Sequence, residues 1–172
     1  MNNLNISGFR RRVAQSGLTA FVLVVCAMAC AQGTWAATWH GIEPLKSRRA
    51  DVERELGKPI REQQGATGAL DFKVSGGVVT VNFVTPKFVE TKKLSPELEG
   101  TVLLIVLQHD HSSDTPESMN LAKNGSFDRS DKDAMTVFYN AKDGITYTFI
   151  NGRLKTTRYA AATDQLLRAQ RN

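Results

Sequence analysis

The pair Asn151-Gly152, set inside the stretch from Ala134 to Ala160, constrains this chain more than any other feature of it. Asn-Gly closes type I′ hairpins because both central residues of that turn need positive φ. β-favouring runs flank the pair, and a third run is set off by Lys142-Asp143-Gly144. A two-residue loop fixes the register: Ile150 faces Arg153, Phe149 faces Leu154, and Tyr147 faces Thr156. Side chains alternate across a strand, so Ile145, Tyr147, Phe149 and Leu154 share one face, and Thr146, Thr148, Lys155 and Thr157 the other. The sequence therefore predicts a sheet with one dry side and one wet side.

A second hairpin signal gives the same division. Ala69 to Ser75 and Val78 to Thr85 flank Gly76-Gly77. Pairing across that loop sets Val74 against Val79, Phe72 against Val81 and Leu70 against Phe83 on the dry face. Lys73 with Thr80 and Asp71 with Asn82 fall on the wet one. Between the hairpins, Val102 to Leu107 is apolar at six consecutive positions, which suits a central strand rather than a helix. Ahead of both, LKSRRADVERELGKP predicts a short amphipathic helix. In it Ser47 is the expected N-cap, Val52 and Leu56 form the apolar stripe, and Gly57 and Pro59 end it. A second short helix is expected after Ala161, through Leu166 and Leu167. Pro86 to Gly100 reads as a charged connection. The fold class is α+β, with a short N-terminal helix packed on one face of an antiparallel sheet of about five to six strands.

The first 31 residues read as a secretory signal: Arg10, Arg11 and Arg12, then an apolar Leu18 to Ala29, then the small-x-small site Ala29-Cys30-Ala31. Residues 32–38 read as a short tether and 39–172 as one domain. Cleavage after Ala31 would make the protein periplasmic or secreted. Lipidation at Cys30 is the alternative, giving an outer-membrane lipoprotein, and it is the one route to a membrane. The leader also carries away three of the 22 basic residues and no acid, so a formal charge of +5 falls to +2. With no sustained basic stripe, nucleic-acid binding is not expected. Both cysteines, Cys26 and Cys30, lie in the leader, so the domain has no disulfide to staple it. About 140 residues suffice without one, because a chain of that length buries roughly two-thirds of its surface on folding.

Chemistry-bearing residues are sparse. Gln108-His109-Asp110-His111 is the one ligand-like cluster. Were the strand to continue through it, His109 and His111 would share a face, and Asp114 or Glu117 would add oxygen for zinc or copper. Spacing fixes no third ligand, so the sequence favours a solvated loop past a strand end. Asp128, Asp131 and Asp133 lack the glycine and terminal glutamate of an EF-hand loop and read as a turn. No serine has a histidine at a diagnostic spacing, and no cofactor is called for. Trp39 reads as a core anchor beside Ile42.

Two segments carry a resemblance. Trp39-His40-Gly41-Ile42-Glu43-Pro44, with Ala50-Asp51-Val52-Glu53 and Leu56-Gly57-Lys58-Pro59, resembles the opening of a group of uncharacterised exported bacterial proteins. Asp143-Gly144-Ile145-Thr146-Tyr147, with Asn151-Gly152-Arg153, resembles their closing hairpin. The helix followed by Gly-x-Pro is also similar to small outer-membrane assembly lipoproteins of the SmpA/OmlA type and to β-lactamase-inhibitor-like domains. The resemblance implies a binding fold without an active site. The expectation is thus an exported, non-enzymatic domain that binds protein or has an envelope-structural role. It would do so through a partner, or self-association, at the strand Val102 to Leu107, with Leu166 and Leu167 as an internal lid instead if that strand is covered. The competing expectation is a hydrolase or metal-dependent enzyme whose site assembles from distant loops.

Overall fold

The computed structural model describes residues 37–63 and 68–170, within one compact unit, Thr34–Asn172. The expected signal peptide, the acceptor Cys30 and residues 32–36 of the tether lie outside the described residues. The fold is α+β: one antiparallel sheet with α-helices added. In chain order the elements are α1 (Arg49–Leu56), β1 (Arg61–Glu62), β2 (Leu70–Val74), β3 (Gly77–Phe83), α2 (Pro86–Lys92), β4 (Val102–His109), β5 (Asp128–Lys132), β6 (Met135–Asn140), β7 (Ile145–Ile150), β8 (Arg153–Ala160) and α3 (Thr163–Ala169). The strands order as β1-β2-β3-β4-β8-β7-β6-β5. Two four-stranded meanders therefore meet where β4 pairs with β8. The connection from β4 to β5 must carry the chain from the middle of the sheet to its far edge.

Eight strands replace the five to six expected from sequence, and the two additions are the edges. β1 is two residues long, and every residue of β5 is exposed. An edge strand made of Asp, Arg, Ser and Lys has no apolar alternation to reveal it, and that same charge discourages pairing with another chain.

Both hairpins form, each with an adjusted register. Asn151 and Gly152 take φ of 50° and 72°, and Ile150 faces Arg153 and Phe149 faces Leu154 as expected. The register then shifts between Thr148 and Phe149, so that Thr148 pairs with Thr156 and Tyr147 with Thr157. The extra residue on β8 turns Thr157 to the dry face, where it is 4 % exposed; the expectation that it faces water is corrected. In the first hairpin the turn is Ser75-Gly76, one step earlier than expected, and Val74 pairs with Gly77, Phe72 with Val79 and Leu70 with Val81. Gly77 is needed inside β3 because β4 passes against it: a Cβ there would overlap the Gln108 carbonyl oxygen. The register differs from expectation by two residues, an even number, so the faces survive.

On the dry face Val52 of α1 packs with Ile42, Phe72, Val79, Val81 and Ile105, joined by Leu56 and Trp39. Burying Val52 completely stabilises the helix's seat by about 1.5–3 kcal/mol. Farther along the same face Leu121, from the β4–β5 connection, packs on Phe138, Phe149 and Leu154. Phe138 and Phe149 meet edge-to-face at 5.9 Å and 86°. A third cluster, Val84, Val89 and Leu94 with Leu103 and Ala169, caps the end where β3 leaves and β4 enters the sheet.

α1 is not capped by Ser47. Arg48 holds the N-cap position, and its N–H donates to the Asp51 carboxylate at 2.9 Å. Ser47 Oγ instead accepts from the Glu43 N–H at 2.9 Å. The Arg48 guanidinium donates to the carbonyls of Glu97 and Glu99, tying the helix start to the chain entering β4. α2 lies inside the expected charged connection. Thr85 caps it by accepting from Phe88 N–H at 3.2 Å, with Pro86 in the first turn.

Candidate functional site

Two features on opposite sides of the sheet are candidates: its open face, and a cleft beside α1. The open face is built row by row from backbone pairing. One row crosses all eight strands, Asp128–Tyr139–Thr146–Arg158 and on through Val106–Thr80–Asp71–Arg61. At its near end Asp71 is 1 % exposed, yet it is charged and fully engaged. Arg61 Nε donates to it at 2.6 Å and Thr80 Oγ1 at 2.7 Å. Burial opposes the charge, but these hydrogen bonds outweigh it and hold the carboxyl below its ordinary 3.8.

The middle of this face is apolar. Simple alternation would set Val102, Leu104 and Val106 on one face and Leu103, Ile105 and Leu107 on the other, but the register shifts between Asn82 and Phe83. Val102 and Ile105 enter the main core with Leu107 packed against it, while Leu103 joins the end cluster. Leu104 and Val106 remain on the open face, half-buried, beside Asn82 and Thr80. Of the expected lid, Leu167 is 61 % exposed and Leu166 half-buried, and α3 meets the end cluster through Ala169 and the Leu94–Gln170 bridge. Toward the far edge Met135, Tyr139 and Ile150 are 37 %, 42 % and 41 % exposed, and Met135 pairs directly with Ile150. From sequence, Ile150 is given only as the residue facing Arg153, and this trio carries no expectation. The alternation Met135, Val137, Tyr139 was the available signal.

The cleft, about 370 Å³, lies where the end of α1, the β2–β3 turn and the end of β4 converge. Trp39, Leu56 and Leu107 give it apolar walls, and His40, Glu55 and His109 stand at its polar positions. Trp39 is the partner of Ile42 in a tight turn through His40 and Gly41, and its ring meets His40 edge-on at 4.3 Å. It is both core anchor and cleft wall. His109 is not in a solvated loop: it closes β4, is half-buried, and its Nε2 shares a 2.9 Å hydrogen bond with Thr157 Oγ1. Burial pushes its pKa below the ordinary 6.5, against an opposing pull from Asp114. Two residues on, β4 has ended and His111 is exposed, so the strand does not carry both imidazoles onto one face. Asp114 is turned to Ser112 at 3.1 Å. Among the described residues no group of three or more His, Cys, Asp or Glu stands close enough to hold a metal. His40 and Glu55 carried no sequence signal, since the fold alone brings them to His109.

The three acids of the β5–β6 hairpin do not converge either. Asp131 accepts from Arg129 at 2.9 Å and Thr136 at 2.7 Å, and Asp133 occupies the turn with φ of 52°. Tyr147 and Phe149 are packing residues of the second cluster, as expected.

What these residues define is a half-covered antiparallel sheet whose helices and crossover pack on one face and at one end. No protein-family model matches the chain, and no curated protein matches it. Among solved structures it is similar to the crystal structure of a DUF4309 family protein, YjgB, from Bacillus subtilis. The two are 12% identical, with a TM-score of 0.49, over 70% of this chain and 82% of that one.

Proposed function

We infer that this is an exported, non-enzymatic domain that binds another protein through the open face of its sheet. The carrying observation is the position of Leu104 and Val106, half-buried in the centre of that face, with Met135, Tyr139 and Ile150 exposed on it toward the far edge. Apolar side chains with a polar surround of Thr80, Asn82 and Thr146 have the composition of a protein contact. The resemblance of the Trp39 to Pro59 segment to exported binding domains points the same way.

The competing reading is an enzyme built on the cleft, favoured by the convergence of His40, Glu55 and His109 from distant parts of the chain. His109 is committed to Thr157, which weakens its claim to act as a base. Purification of full-length protein from the envelope fraction, beside Val106→Lys, separates these readings. The binding reading expects a co-purifying protein that the substitution removes while circular dichroism stays unchanged. A partner retained by Val106→Lys, or cytoplasmic retention of the uncleaved chain, would overturn it.

A further inference from the structure

We propose that the open face receives an amphipathic, acidic segment of its partner protein, with carboxylates over Arg158 of β8 and apolar residues on either side. This deepens the binding reading and rests on it. On the open face Lys132 and Arg158 are exposed, and among the described residues neither side chain has an ion pair or hydrogen bond. Asp71 is taken by Arg61 and Thr80. The acid left over is Asp128, at the far end of the row that holds Arg158. Three strand spacings separate them, about 14 Å. That exceeds the screening length of roughly 8 Å at physiological salt, so Asp128 does not neutralise Arg158.

The apolar groups are placed to match. β8 lies between β4, which carries Leu104 and Val106, and β7, whose Ile150 pairs with Met135. A helix is about 10–12 Å across, so one laid along β8 reaches both neighbouring strands. Its acids would meet Arg158 while its apolar residues met Leu104, Val106 and Ile150. An anionic lipid surface shares the charge but not the shape. Leu104 and Val106, the apolar groups nearest Arg158, are half-buried within the sheet, whereas bilayer insertion needs apolar groups that protrude around the cation.

The test is an amide NMR titration of the full domain with a synthetic helical peptide of Leu, Glu and Ala, and with its twin carrying Lys for Glu. Vesicles containing phosphatidylglycerol form the third arm. The expected result is shifts on β4, β7 and β8 with the acidic peptide alone, reduced by salt. Arg158→Glu should weaken binding by roughly tenfold or more. Arg158→Gln gives the same comparison should the reversal disturb folding. Equal shifts from both peptides would overturn the acidic specificity and leave apolar binding standing. Shifts from neither peptide would overturn the inference, and the binding reading would then stand or fall on the Val106→Lys co-purification. Shifts with vesicles and not with the acidic peptide would replace protein by lipid.

Discussion

Replacing His109 and His111 one at a time by Ala separates two imidazoles that sequence treats as a pair. His109→Ala removes the partner of Thr157 Oγ1, a hydroxyl on a residue 4 % exposed. Leaving a buried hydroxyl without its hydrogen bond costs about 1–3 kcal/mol, and the half-buried ring adds lost contact. The cleft admits water toward that position, which argues for the lower half of the range, about 1–2 kcal/mol. His111 is exposed, so His111→Ala should change stability by less than about 0.5 kcal/mol. Urea unfolding at pH 7, read by tryptophan fluorescence with a common m-value, measures both. pH gives an independent check. Burial depresses the folded-state pKa of His109 below the unfolded 6.5. As pH falls through 6.5 the unfolded chain therefore binds the proton first, and native stability declines until the folded pKa is reached. The advantage of wild type over His109→Ala should accordingly shrink from pH 7 toward pH 5. Equal costs for the two substitutions, or an advantage that grows on acidification, would refute this description of His109.

Asp71→Ala should cost about 2 kcal/mol at neutral pH, the loss of two charge-assisted bonds discounted because the Arg61 side chain is 68% exposed. Because its folded pKa lies below 3.8, that contribution is present at pH 7 and is lost as pH falls through the folded value, as acid titration of the unfolding midpoint will show. Gly77→Ala should destabilise by about 1–3 kcal/mol, read as a lowered thermal midpoint, since its Cβ would meet backbone rather than a movable side chain. Ile105→Ala should cost about 2–5 kcal/mol and Leu104→Ala much less, although they are neighbours in one apolar run; paired urea curves decide it.

The parts of this fold that were legible were those in which local chemistry and burial agree. Asn151-Gly152 placed its hairpin, and the alternation of Phe72, Val79 and Phe149 named the dry face correctly even where the first turn moved. Periodicity is blind to a bulge: one extra residue on β8 carried Thr157 from the wet face into the core. The same blindness made Val102 to Leu107 look two-faced, when the shift at Asn82 and Phe83 sends its side chains to the core, the end cluster and the open face. β1 and β5 were illegible because edges are stabilised by pairing rather than by their own apolar content. α2 falls where Pro86 to Gly100 reads as a charged connection: Thr85-Pro86 is a helix-start signal, but Val89 is the helix's one buried residue and gives no apolar stripe. The cleft could not be read at all, because His40, Glu55 and His109 come to line one cleft only after the sheet has formed.

The central claim, that the open face is the contact surface, is tested most directly in living cells. A photocrosslinking residue is placed at position 106, and for comparison at exposed position 58 beyond the end of α1. The account predicts a discrete higher-mass adduct from position 106, absent from position 58. No adduct at 106, or equal adducts from both positions, would contradict it.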